Sequence, residues 1–325
     1  MENQGILIIE MIYTRAAVND TARAAEKQLI NRFKGAIKVG FINPVELDSL
    51  VTLSIESNLS PKAKSLAFWG LAKLGYKNKA VLLSLVTEPI NSLKTQDLLT
   101  LAHSCRLASI DLPSVSSEVM LRMHSGFSSW SPNDQWMSLH SLSSTKTIDS
   151  SKRVGIFRFC LPRLKVDQVS SKGLVALSQA YVKTLHGFPS ECLTAVSLFA
   201  RLYLYENKVT LVGSALVAKA LAAAELGAGV RDCSIEEPQN SVWLTLIRIA
   251  TTPQKVDNSS SFAWLLFLDA FATRGVTPEI LDNFALLGKS VVKDLDTEGL
   301  ARAAQLITRL VVEFSVGRAR YQDVY

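Results

Sequence analysis

Seven cations, Lys152, Arg153, Arg158, Arg163, Lys165, Lys172 and Lys183, are the residues of this 325-residue chain whose type and spacing carry a function. Clustered lysine and arginine contact phosphates through charge alone, without reading base sequence. Phe157, Phe159, Tyr181 and Phe188 are interleaved with them, and aromatic rings of that kind stack bases in single-stranded nucleic acid. Two residues apart on a helix, Phe157 and Phe159 cannot share a face, so at least one of the pair belongs to a core. A solvated basic face set against an acidic protein neighbour would use the same cations. RNA and a partner protein therefore both stand as ligands at this point.

No other constellation competes with that segment. The chain lacks a GxxxxGK[ST] phosphate loop, an HExxH zinc motif and a GxSxG nucleophile turn. Gly227 and Gly229 lack a third glycine and a preceding strand. Ser143 and Lys146 match an SxxK spacing without its companion motifs. His103, His124, His140 and His186 show no ligand spacing, and His103 and His140 fall at related repeat positions, which favours a structural role. The acids Glu236, Glu237, Asp294, Asp296 and Glu298 read as residues complementing the positive end of a helix. Cys105, Cys160, Cys192 and Cys233 lie tens of residues apart, the pattern of buried free thiols in a reducing compartment. The expectation is a non-catalytic chain with no metal, cofactor or small-molecule substrate; an enzyme assembled from scattered residues is the third class.

Charge is unevenly placed. Residues 60–205 carry 17 basic and 8 acidic side chains, against 6 and 7 in residues 1–59 and 12 and 14 in residues 206–325. The middle of the chain thus holds more than the whole net charge of +6, and it is densest between Lys146 and Lys183. Hydrophobic residues make up 48% and charged residues 20%, a composition that buries a core rather than staying disordered. The apolar stretch from Gly5 to Tyr13 is too short to span a bilayer, and Lys219 and Glu225 interrupt the Ala- and Leu-rich run from Leu211 to Val230. That run reads as a buried helix. The first forty residues interleave Arg15, Arg23, Lys27 and Arg32 with Glu2, Glu10, Asp20 and Glu26, unlike an acid-poor transit peptide.

The elements that must position the cations are helices in pairs. Asp20 caps a helix to Lys38 with Ala22, Ala25, Leu29 and Phe33 at three- and four-residue spacing. Val45 to Ser57 follows, and Ser60 before Pro61 opens a helix that Gly75 closes. Further pairs start at Thr95, Ser131, Ser170 and Asn207, and a sixth spans Ser261 to Arg274 and Pro278 to Lys293. Asp296 to Phe314 is a last helix, followed by a tail from Gly317. Leu66, Leu101, Leu139, Leu177 and Leu216 recur at intervals of 35, 38, 38 and 39 residues, with Leu268 52 further on after two polar loops. A period in this range signals a helical solenoid. Strand signals are almost absent. The sequence predicts an all-α fold, a right-handed α-solenoid of about six to seven helix-turn-helix repeats. Residues 1–59 form a lead-in, 60–295 the repeat array, and 296–325 a capping helix and tail.

The leucines of Gly70 to Gly75 and Leu98 to Ala102, with the 35–39-residue period, resemble the degenerate helical repeats of organellar RNA-metabolism proteins. Octotricopeptide and heptatricopeptide arrays and the helical region of FAST-kinase-like RNA regulators read this way. The similarity extends to helical scaffolds of protist mitochondrial RNA-editing and mitoribosome complexes. The resemblance covers roughly 60–295 and implies a scaffold in the mitochondrial matrix that binds RNA, partner proteins, or both; a cytoplasmic location is the other possibility. The alternative is a purely protein-binding solenoid, a structural subunit without nucleic-acid contact.

Overall fold

The computed structural model describes residues 24, 26–38, 43–56, 59–87, 89–205, 209–230, 238–252, 258–274, 288 and 292–322. Among these the chain is all-helical, with no strand. It forms two compact units. One holds residues 1–129 and 144–149, the other 130–143 and 150–325. Asn207, Cys233, the acidic pair Glu236 and Glu237, and most of the predicted helix from Pro278 to Lys293 lie outside the described residues.

The first unit begins with α1 (residues 26–38), which buries Leu29 and Phe33 on the expected stripe. It continues through α2 (Pro44–Glu56), α3 (Pro61–Lys73), α4 (Lys79–Ser84), α5 (Thr95–Leu107) and α6 (Pro113–Gly126). α3 packs against α2, α4 and α5, and α5 against α6. Fully buried Phe68, Leu71, Leu98 and Val119 form the centre. α4 ends at Ser84, three residues before the stripe from Ala80 to Thr87 predicts, and the chain then turns through a 3-10 segment, Ile90–Ser92. Arg122 clamps that segment. Its guanidinium donates to the carbonyls of Asn91 and Leu93 at 3.0 and 2.7 Å and to Glu118 at 2.8 Å. The segment 144–149 belongs to this unit because Asp111 accepts from the Lys146 and Thr147 amides, at 2.7 and 2.8 Å, and from the Thr147 hydroxyl.

The second unit contains α7 (Pro132–Leu142), α8 (Ser150–Cys160), α9 (Ser171–Leu185), α10 (Pro189–Tyr205), α11 (Leu211–Gly227), α12 (Pro238–Thr251), α13 (Asn258–Arg274) and α14 (Thr297–Gln322). α7 packs on α9, α9 on α11, α11 on α13, and α13 on α14. α8, α10 and α12 lie against this row, α10 touching α9, α11 and α12. α11 and α13 share the most extensive packing. Ala215, Ala218 and Ala222 on one and Ala263 and Ala270 on the other are fully buried, and such short side chains let helix backbones approach closely. α14 continues to Gln322, past the tail expected from Gly317.

Caps set the register of the first helix in each pair. Ser60, Ser131, Ser170 and Thr210 each accept, through the side-chain oxygen, the amide of the residue three further on. This satisfies one of the orphan donors at a helix start. At the second pair Lys94 holds the cap position with no side-chain bond, and Thr95 is the first helical residue rather than the cap. The five caps are 34, 37, 39 and 40 residues apart. Counted from its cap, the repeating leucine falls at the sixth, seventh, eighth, seventh and sixth position. Leu101, Leu139 and Leu177 are accordingly buried, whereas Leu66 and Leu216 are only half-buried. A leucine is interchangeable with its neighbours on a greasy face, and a cap is not.

Three of these helices end alike. In α3, α5 and α11 the residue after the helical turn takes a positive φ, at Gly75 (78°), Ser109 (53°) and Gly229 (70°). The following amide reaches back to Leu71, Cys105 and Glu225 respectively. Ser109 alone carries a Cβ in this left-handed conformation. Ser109→Gly is therefore expected to stabilise the first unit by about 0.5–1 kcal/mol, read as a higher thermal midpoint. A fall in the midpoint would refute the assignment of strain to that turn.

Candidate nucleic-acid interface

The seven cations all lie in the second unit, on α8, the turn after it, and α9. Arg158 is held by Glu191 of α10 through a two-pronged contact of 2.7 and 2.6 Å, with its guanidinium 3.9 Å over the Phe188 ring. Hydrogen bonding to Arg158 lowers the Glu191 carboxyl below its ordinary pKa, and the same bond raises that of the arginine. Arg163 donates to the Phe159 carbonyl at the end of α8, at 2.7 Å, and stacks 3.9 Å over the Phe159 ring. Lys165 donates to the Trp130 carbonyl at 2.9 Å. These three side chains are engaged in holding the second unit together.

Lys152 and Arg153 occupy the first turn of α8, Lys152 exposed and Arg153 half-buried. Lys172 and Lys183 are exposed on α9. Eleven residues apart, they come back to the same side after three turns, about 16 Å along the axis. The rest of α9 buries Leu174, Leu177, Tyr181 and Leu185, and the helix contains no acid. Counted from the Ser170 cap, the two lysines occupy the second and thirteenth positions. Lys62 and Lys73 of α3 occupy the same two positions counted from Ser60. Sequence reasoning passed over that α3 pair because it sought density of charge between residues 146 and 183. The signal that finds it is the cap.

The interleaved aromatics separate cleanly. Phe157 and Tyr181 are fully buried. Their rings meet at 5.0 Å, Phe199 packs on Tyr181 at 5.2 Å, and the Tyr181 hydroxyl donates to the Phe157 carbonyl at 3.3 Å. Burial raises the Tyr181 phenol well above its ordinary pKa, so it stays a donor. Neither ring is accessible to a base, which corrects their listing among stacking candidates. Phe159 is half-buried and Phe188 is 38% exposed, and each already carries an arginine on its face.

The remaining reactive groups point to packing. Cys105, Cys160 and Cys192 are buried free thiols, pushed up by burial to about 12, 12 and 11 respectively, and so uncharged. Among the described residues no group of three His, Cys, Asp or Glu side chains is assembled that could hold a metal ion. No described helix is long and apolar enough to cross a membrane. No family model, curated protein or solved structure matches this chain.

Proposed function

We propose that this protein is a non-catalytic helical scaffold that binds RNA through its basic middle and engages partner proteins elsewhere, within a mitochondrial RNA-processing, editing or translation assembly. In this reading the capped pairs continue as an α-solenoid of the degenerate organellar repeat type, whose first helices line one surface. The packing of α7 on α9, α9 on α11 and α11 on α13 supports it. The observation that carries the RNA contact is the α9 stripe, with Lys172 and Lys183 exposed on one side of a helix without acids.

The test is binding of a fluorescein-labelled single-stranded RNA by the full chain, followed by anisotropy across a salt series. Affinity should fall steeply with salt. Lys172→Glu with Lys183→Glu should weaken binding roughly tenfold or more at low salt. Arg158→Glu with Arg163→Glu should also weaken it, but together with a loss of thermal stability, since both arginines have internal partners. Unchanged affinity in both double variants would remove the contact from this region.

A second reading, a scaffold that binds only proteins, is favoured by α14. This helix buries Ala303, Leu306 and Leu310 while Leu300 and Ile307 remain 42% and 46% exposed on another face. Exposed apolar residues at a seven-residue spacing suit a helical partner. Defined protein partners that survive nuclease treatment, with no crosslinked RNA, would favour this reading over the first.

A further inference from the structure

We infer that α3 and the turn leading into α4 form a second contact for single-stranded nucleic acid, in the first unit, with Trp69 as a base-stacking platform between lysines. The inference rests on the reading that this protein engages RNA, but on different residues. Between Glu56 and Glu88 the chain has five lysines and no acidic side chain. Lys62, Leu66, Trp69 and Lys73 recur at four-, three- and four-residue steps, so they share one stripe of α3. The lysines at its two ends are exposed, and Leu66 and Trp69 between them are half-buried. The opposite side of α3 is spent on the core through Ala63, Ala67, Phe68 and Leu71. Lys77 and Lys79 are exposed just beyond Gly75.

Nothing among the described residues explains these charges. None of the five lysines forms an ion pair among the described residues. Lys62 and Lys64 lie in the first turn of α3, where the helix dipole disfavours a cation. The acid at that end, Glu26 of α1, is committed to the Ser60 amide and hydroxyl at 2.5 and 3.1 Å. The Trp69 indole N–H makes no hydrogen bond to a described residue. Exposed lysines about 16 Å apart with an aromatic ring in line between them suit a strand of phosphates whose bases turn towards the helix. A flat anionic surface would use the lysines but not a ring recessed between them.

The experiment uses the full chain, a labelled 20-nucleotide oligouridylate, and vesicles of phosphatidylserine and phosphatidylcholine as the competing anionic surface. Lys62→Ala, Lys73→Ala and Lys77→Ala together should lower RNA affinity roughly tenfold or more and reduce the salt slope by about 2, since each phosphate contact contributes about 0.7 for a single strand. Trp69→Leu should cost about fivefold or more, and Trp69→Phe should restore most of it, which a purely structural tryptophan would not produce. If RNA affinity survives the triple variant but falls in Lys172→Glu with Lys183→Glu, this site is refuted and the α9 reading stands. If the triple variant loses vesicle binding and keeps RNA binding, the patch belongs to a membrane surface. If the wild-type chain binds no RNA, both readings fall.

Discussion

Glu225→Ala is expected to destabilise the second unit by about 3–5 kcal/mol, the range for removing one partner of a buried ion pair. Glu225 is 3% exposed. One carboxylate oxygen accepts the Trp243 indole N–H at 2.8 Å, and the other accepts the Arg274 guanidinium at 3.0 Å. Arg274 lies 4.6 Å over the Trp243 ring, which closes a three-residue cluster linking α11, α12 and α13. Deleting the carboxylate removes the ion pair of an arginine whose side chain is only 14% exposed and strands the Trp243 indole donor inside the fold. Glu225→Gln keeps an acceptor for Trp243 but removes the charge that Glu225 sets against Arg274, so it should fall between alanine and wild type. Guanidinium unfolding gives the size of the loss, and amide exchange along α11 and α13 localises it. A loss under about 1 kcal/mol for the alanine variant would show that the cluster is not a lock. Asp269 makes a second tie nearby, pairing with Lys219 at 2.6 Å and Arg302 of α14 at 3.0 Å. Its two partners are half-exposed, so its contribution is correspondingly small.

Phe157→Ala should cost about 3–5 kcal/mol, because the ring fills fully buried space against Tyr181 and the site has little room to collapse. Phe159→Ala and Phe188→Ala should each cost about 1 kcal/mol or less, as partly exposed rings with one arginine contact. The contrast matters for the candidate interface. If Phe157 stacked a base, its loss would weaken RNA binding without unfolding the protein. Chemical unfolding of the three variants, paired with anisotropy on the same samples, separates the two roles. Equal stability in all three would overturn the division between core and surface aromatics.

How far the residues alone reach is clearest at Glu225. Read along the chain, it is a charge that breaks an apolar run and speaks against a membrane span. Nothing local foretells its partners, which come from residues 18 and 49 positions away. Its place in the last turn of α11 is even unfavourable to the helix dipole. Arg158 teaches the same lesson from the surface. Its charge is plain in the sequence, but its commitment to Glu191 depends on α8 and α10 both packing on α9.

The helices and most of their starts followed from the sequence alone, because caps, prolines and three- and four-residue apolar spacing act within a single turn or two. The basic excess of the middle was equally plain, since charge is counted and not folded. Tertiary structure decided the partners of Arg158, Arg163 and Lys165, which aromatics are core, and that the chain gathers into two units with 144–149 returned to the first. Those outcomes turn on contacts between residues tens of positions apart, which the spacing of neighbours does not encode.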